Sequence, residues 1–314
     1  MRGCRLQPSH YFTDNPRRLM HTRPTSWWLA ALRKRRLRMH REMLDLALPP
    51  PCWSAETKDA AIAFFNAAYR AEESGLRQAH ELACELAWDD PELAECLRLY
   101  GDEEGWHRDL LTGFLAWLGG DVRPMGTTTR TFYGLYARAK RMESIVLVNL
   151  MFETIGSTTY RLALRRATHP AVRQMLTILT RDESFHVPLN VHFLRHAIRR
   201  SAPTGASRAS QLAVRARLRA LYHTTYVALV ASTVASRRRA LKFDAIPVST
   251  LASAYATELA RLFLVEEDLG LSPSPLLLRT FGLRKAELLR GPSPVSLDAA
   301  EQSIEREDVV VNEY

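Results

Sequence analysis

The sequence predicts an all-α protein: a four-helix bundle preceded by a basic helical arm and followed by additional helices. Three observations predict it. Prolines cluster between long stretches rather than inside them. No window sustains the period-two alternation of a half-buried strand. And a short charged pattern occurs twice, with nearly the same internal spacing.

In chain order, residues 1–55 form the basic segment, closed by the PPP run at 49–51. A first long helix is expected over 56–88. Pro91 opens a second, which stops at Gly119-Gly120. Residues 129–167 read as one long helix rich in Ala, Leu and Arg, ending at His169-Pro170, and Pro170 opens another to about Arg200. The loop SAPTGAS at 201–207 precedes helical segments over 208–241 and 247–268 and a shorter one near 276–290. The organisation expected is an arm (1–55), a bundle (56–200), helices packing on it (208–290) and a poorly ordered tail (291–314).

At 314 residues, with 46% hydrophobic and 25% charged residues, the chain has the composition of a soluble globular protein with a sizeable core. Its longest apolar runs, such as Ile145 to Phe152, fall far short of the roughly 20 residues a membrane span requires. Four scattered cysteines form no C-x-x-C, which fits a reducing cytoplasm and gives no thiolate metal site. The net charge of +9 is unevenly spread. Residues 1–55 carry eleven Arg or Lys against three acids, whereas 56–125 carry fifteen acids against six bases. The basic flank reads as a solvated, partly disordered arm, as a transit peptide, or as a docking element for an acidic carrier protein, nucleic acid or membrane surface.

The acids concentrate around DEEGWH, Asp102 to His107, where Glu104 and His107 stand three residues apart and project from one face of a helix. The pattern returns as DESFH, with Glu183 and His186. Each E-x-x-H follows a proline by 13 residues, Pro91 to Glu104 and Pro170 to Glu183, and each is preceded by a helix carrying a lone glutamate. Glu153 is 30 residues before Glu183, and Glu72 is 32 before Glu104. Two helical hairpins of this kind bring four carboxylates and two imidazoles into one interior. Carboxylate oxygen with imidazole nitrogen suits iron or manganese, and about four negative charges offset two divalent cations that clustered buried carboxylates would otherwise lack. In the first hairpin Glu72 and Glu73 compete for the ligand position. Glu72 lies on the stripe Ile62, Phe65, Tyr69, Glu72, Leu76 and shares E-x-x-G with Glu153, while Glu73 keeps the better distance to Pro91.

Residues 56–200 resemble the ferritin-like di-iron carboxylate superfamily, in its oxygenase branch, through the combined pattern E…E-x-x-H…E…E-x-x-H. The resemblance to acyl-carrier-protein desaturases and p-aminobenzoate N-oxygenases is distant. It implies that Glu72, Glu104 and His107 serve one metal and Glu153, Glu183 and His186 the other, with some carboxylates bridging and Glu104 and Glu183 at the centre of the chemistry. It also implies that Glu103 and Asp182, the acids preceding the motif glutamates, orient the ligand imidazoles. Where N-oxygenases add a third histidine this chain has Leu179, and where ribonucleotide reductase small subunits often carry a tyrosine it has Leu111. Gly75 and Gly156, one turn past the lone glutamates, read as room beside the metals or as close helix packing. His80, His192 and His196 fall off the ligand spacing, and Trp106 and Phe185 read as packing residues.

The function the resemblance implies is dioxygen activation by two iron ions, or a Mn/Fe pair, to hydroxylate, desaturate or N-oxygenate an organic substrate, free or carrier-bound. Without rubredoxin-like cysteines or a flavin motif, electrons come from a separate reductase or from peroxide. The alternatives are a ferritin- or rubrerythrin-type iron-handling or peroxide-scavenging protein, and a non-enzymatic binding protein on the same scaffold. The basic flank also admits a tRNA substrate, as in tRNA hydroxylases. The apolar stretches Leu221 to Val234 and Leu262 to Val265 are expected to wall a substrate pocket, thicken the core or form a homodimer interface.

Overall fold

The computed structural model describes residues 23–290 apart from residue 204. The tail expected over 291–314 and the first 22 residues of the arm lie outside the described residues. Within them the chain is all-helical, with ten α-helices and no strand.

Helix α1 spans Thr25–Met39, α2 Ala55–Leu86, α3 Pro91–Trp117, α4 Thr127–Tyr136, α5 Met142–Leu164, α6 Pro170–Ser201, α7 Arg208–Asp244, α8 Val248–Val265, α9 Pro275–Thr280 and α10 Lys285–Arg290. Local signals account for several starts. Ser54 Oγ accepts from Thr57 N at 3.2 Å, and Asp90 Oδ1 from Leu93 N at 3.1 Å. Pro91 and Pro170 occupy first-turn positions, where the missing N–H costs nothing.

Two expectations are corrected. Residues 129–167 do not form one helix, because the chain breaks between Tyr136 and Met142 and α4 folds back on α5. The cause is aromatic burial: Tyr133 stacks on Phe152 at 6.4 Å, Tyr136 packs on the same ring at 6.2 Å, and Tyr136 Oη donates to the Ile145 carbonyl at 3.0 Å. The helix expected over 276–290 is two short ones, parted by Gly282 at φ +65°. There Leu283 N reaches back to the Leu278 carbonyl at 2.8 Å, closing α9 with a left-handed cap.

Helices α2, α3, α5 and α6 cross a single polar layer, and the apolar residues show how. In α2 and α6 one buried cluster (Phe65 and Ala68; Met175 and Leu179) comes first, then the acidic residues, then a second cluster (Leu82 and Leu86; Leu189 and Phe193). In α3 and α5 the order is reversed. Each hairpin is therefore antiparallel, and the carboxylates sit at mid-height between two apolar slabs.

The described part of the basic segment, residues 23–55, departs from the solvated arm expected of it. Helix α1 packs on α3. It buries Trp28, Leu32 and Arg35, spaced i, i+4, i+7, with Trp28 edge-on to Phe185 at 5.6 Å. On the other side α7 lies along α2 and α5, and α8 packs on α5 and α7. Among the described residues no helix is long and apolar enough to cross a membrane.

Candidate metal centre

The six residues expected as ligands come together. Glu72, Glu104, His107, Glu153, Glu183 and His186 are all buried, none more than 7% exposed, and their donor atoms form overlapping groups. One group is Glu72, His107 and Glu183; another is Glu153, Glu183 and His186; a third joins Glu104 to both histidines. Glu104 and Glu183 thus stand between a Glu72–His107 side and a Glu153–His186 side. Glu73 lies outside, 42% exposed and bonded to Arg70 at 2.6 Å, so Glu72 is the glutamate that α2 turns into the cluster.

Both imidazoles turn Nδ1 inward and Nε2 outward. His107 Nδ1 lies 3.2 Å from Glu72 Oε2, and its Nε2 is 3.0 Å from Asp182 Oδ2. His186 Nδ1 lies 3.0 Å from Glu104 Oε1 and 3.6 Å from Glu183 Oε2, while its Nε2 is 3.4 Å from Glu103 Oε2. The two outer acids are crossed: Glu103 of α3 faces the histidine of α6, and Asp182 of α6 faces the histidine of α3.

Sequence reasoning missed the next layer. Arg35, fully buried, donates from Nε to Glu103 Oε2 at 3.0 Å and from Nη2 to Glu103 Oε1 at 2.5 Å and Asp182 Oδ1 at 2.8 Å. Arg38 adds contacts to the same two acids at 3.0 and 2.9 Å. Tyr100 donates to Glu153 Oε1 at 2.5 Å and accepts from Asn149, which also donates to Asn190. Tyr160 Oη approaches Glu72 Oε1 at 3.5 Å. A signal for these tyrosines and amides was present. Tyr100 precedes Glu104 by four, Asn149 precedes Glu153 by four, Asn190 follows His186 by four and Tyr160 follows Glu153 by seven, all positions on the ligand faces.

The electrostatics divide the carboxylates. Burial and the neighbouring carboxylates, Glu153 first, push Glu104 and Glu183 well above the usual carboxylate range. Burial also works against ionised Glu72, but His107 outweighs it and the carboxyl titrates low. For Glu103 and Asp182 burial is likewise outweighed, by Arg35 in the first case and by Arg38, Arg181 and Arg35 in the second, so both stay ionised. Burial would keep His107 neutral, yet Glu72 and Asp182 raise it to about 10, and His186 is raised well above its ordinary value by Glu103 and Glu183. Without metal, the cluster balances its charge by holding protons.

The donor set fits a pair of divalent cations. Glu104 Oε1, Glu183 Oε2 and His186 Nδ1 are buried without a hydrogen bond, although His186 Nδ1 and Glu104 Oε1 are only 3.0 Å apart, while His186 Nε2 meets Glu103 as an ion pair at 3.4 Å. Buried donors and acceptors left without hydrogen bonds are costly, and a cation among them would satisfy them together. Gly75 makes this approach feasible, since a Cβ there would sit 2.8 Å from Glu104 Oε2. Gly156 has a different setting, with the Tyr160 ring at 3.5 Å and Glu183 Cδ at 4.0 Å, ordinary contact distances.

A cavity of about 30 Å³ adjoins the cluster, lined by Glu72, Glu104, Glu153, Glu183 and Gly156 and roofed by aromatic residues including Tyr133 and Tyr136 of α4. That volume holds one or two water-sized molecules. All its lining residues come from α2 to α6. Of the readings given to the C-terminal stretches, Leu262 to Leu264 follow core thickening: they are buried in the hydrophobic core, which α8 extends over α5. His80 pairs at the surface with Asp102, and His192 lies against Thr25 and Trp28, away from the cluster. Phe185 lies under the Arg35 guanidinium at 4.2 Å, and Trp106 faces Arg38 at 5.8 Å.

No family model, curated protein or solved structure matches the chain.

Proposed function

We propose that the chain is an oxygen-activating di-iron oxidoreductase built on a ferritin-like four-helix bundle. The observation that carries this reading is the duplicated donor set, two Glu–His groups joined through Glu104 and Glu183 beside a cavity of about 30 Å³. Glu72 with His107 would hold one ion and Glu153 with His186 the other, Glu104 and Glu183 lying within reach of both. When bound, a reduced iron pair supplies the electrons that activate dioxygen for hydroxylation, desaturation or N-oxygenation of an organic substrate.

The chain's own residues do the rest. Tyr100 holds its hydroxyl proton on Glu153 and so orients that carboxylate. Crossed contacts from Asp182 and Glu103 hold the imidazole rings with Nδ1 facing the donors. Tyr133, Tyr136 and Phe152 line the cavity and restrict the water beside the carboxylates, which strengthens the charge interactions there. The cavity accepts a diatomic molecule and is an order of magnitude below the roughly 300 Å³ of ordinary ligand pockets, so an organic substrate would enter by displacing α4. Electrons would come from a separate reductase.

The same small volume favours one second reading, a rubrerythrin-type peroxide scavenger, whose substrate fits without any movement. Metal analysis of freshly purified protein, anaerobic reduction and optical spectroscopy on mixing with oxygen test the primary proposal. About two irons per chain and a transient absorption that Glu104→Ala abolishes are expected. A folded chain that cannot be loaded with iron or manganese would refute both readings. Rapid hydrogen peroxide consumption with no oxygen-dependent transient would select the second.

A further inference from the structure

We infer that α1 is a working part of the metal centre: through Arg35 it fastens the acids that hold both histidines, so α1 docking and metal loading stabilise each other. The inference rests on reading the cluster as a metal centre. Arg35 approaches from α1, outside the four helices that carry the six clustered residues. Its guanidinium spans Glu103 and Asp182 with hydrogen bonds of 2.5 to 3.0 Å from Nε and Nη2. Glu103 lies on α3 yet faces His186 of α6, and Asp182 lies on α6 yet faces His107 of α3. One side chain therefore ties together two crossed acid–imidazole pairs, and with them the two hairpins.

The geometry needs arginine. A planar fork donates in several fixed directions at once, whereas an ammonium is a point charge that cannot reproduce such a set of bonds. Phe185, next to His186 in the chain, supports the guanidinium face at 4.2 Å. Arg38 reaches the same acids from the rim, and Arg181, bonded to Glu42 just past the end of α1, also contacts Asp182. If α1 left, two like-charged carboxylates would lose the guanidinium that holds them together and move apart, taking the rings with them. The coupling is reciprocal: whatever factor α1 docking contributes to metal affinity, metal must return to α1 docking.

The test uses the full chain with Mn(II) as probe. Dissociation constants are measured for wild type, Arg35→Gln, Arg35→Lys and Arg195→Gln. The last breaks a comparable ion pair, to Glu266 and Asp268, away from the centre. Hydrogen–deuterium exchange of amides 25–39 is followed with and without saturating Mn(II). Arg35→Gln should weaken Mn(II) binding about 10- to 100-fold, as removal of outer-shell partners typically does, with only partial recovery in Arg35→Lys. Arg195→Gln should bind as wild type, and Mn(II) should slow exchange in 25–39. Wild-type affinity in Arg35→Gln, or exchange in 25–39 that ignores bound Mn(II), would overturn the coupling and leave the metal centre standing. Absence of Mn(II) or Fe(II) binding to wild type would overturn both. Should Arg35→Gln not fold, exchange in the wild type decides alone.

Discussion

Gly75→Ala separates the stability of the fold from the assembly of the site. An added Cβ would lie 2.8 Å from Glu104 Oε2, and ordinary contact begins near 3.4 Å, so the carboxylate must retreat by about 0.6 Å. Metal–oxygen bonds of roughly 2.0 to 2.2 Å tolerate about 0.2 Å of misplacement, so the retreat removes Glu104 as an effective ligand. The metal-free chain has much less to lose. Alanine gains roughly 0.8 to 1 kcal/mol of helix propensity over glycine inside α2, and the atom it meets is the end of a side chain rather than backbone. The expected result is a metal-free urea midpoint close to that of wild type, with Mn(II) or Fe(II) affinity reduced at least tenfold, about 1.4 kcal/mol. Unfolding by far-UV circular dichroism and anaerobic metal titration measure the two quantities on the same samples. Unchanged affinity combined with a strongly destabilised fold would refute the reasoning, since Gly75 would then serve helix packing and not ligand approach.

Glu72→Gln and Glu73→Gln should differ sharply. The first should lower metal stoichiometry towards one per chain, and the second, which removes only a surface pair with Arg70, should leave it at two; equal effects would contradict the placement of Glu72. Stability of the metal-free chain should fall as pH rises from 6.5 to about 10. His107, raised from 6.5 to about 10 against its burial by Glu72 and Asp182, contributes stability that is full below 6.5 and lost through that window. Each proton the folded state retains over the unfolded one gives a slope of about 1.4 kcal/mol per pH unit, read from urea midpoints. Bound Mn(II) displaces these protons and should flatten the profile, whereas a metal-free chain equally stable at pH 6.5 and 9.5 would contradict the protonated state.

Much of the buried Glu–His cluster was legible because its residues recur at a fixed spacing. Glu104 with His107, and Glu183 with His186, announce themselves by spacing and by equal distances from Pro91 and Pro170. Prolines and caps likewise set the ends of α2, α3 and α6 within a few residues. The break between α4 and α5 was not legible, because Ala137 to Arg141 holds neither Gly nor Pro, and the cause is the distant pairing of Tyr133 and Tyr136 with Phe152. Arg35 and Arg38 were hidden for another reason. Arginines in a run read as solvent-facing, and nothing local marks the two whose partners lie 65 to 147 residues away.

That long-range pairing changes what the charge asymmetry of the chain means. A basic flank beside an acidic segment suggests an arm reaching for an acidic partner, but two of its arginines are turned inward to acids of the same chain. Arg35 and Arg38 meet Glu103 and Asp182, and Glu42 meets Arg181. Even the exposed Arg33 and Arg36 help to lower the Glu95 carboxyl, after the larger contribution of its hydrogen bonds from Arg98. An anion-binding role for the flank therefore draws on its other bases, among them Arg2, Arg5, Arg17, Arg18 and Arg23, which precede α1. A truncation designed to reveal an external partner must stop before Arg23. Removing residues 1–45 would delete Arg35 and Arg38 together, and the loss of binding it caused would report a broken metal centre as readily as a lost docking surface.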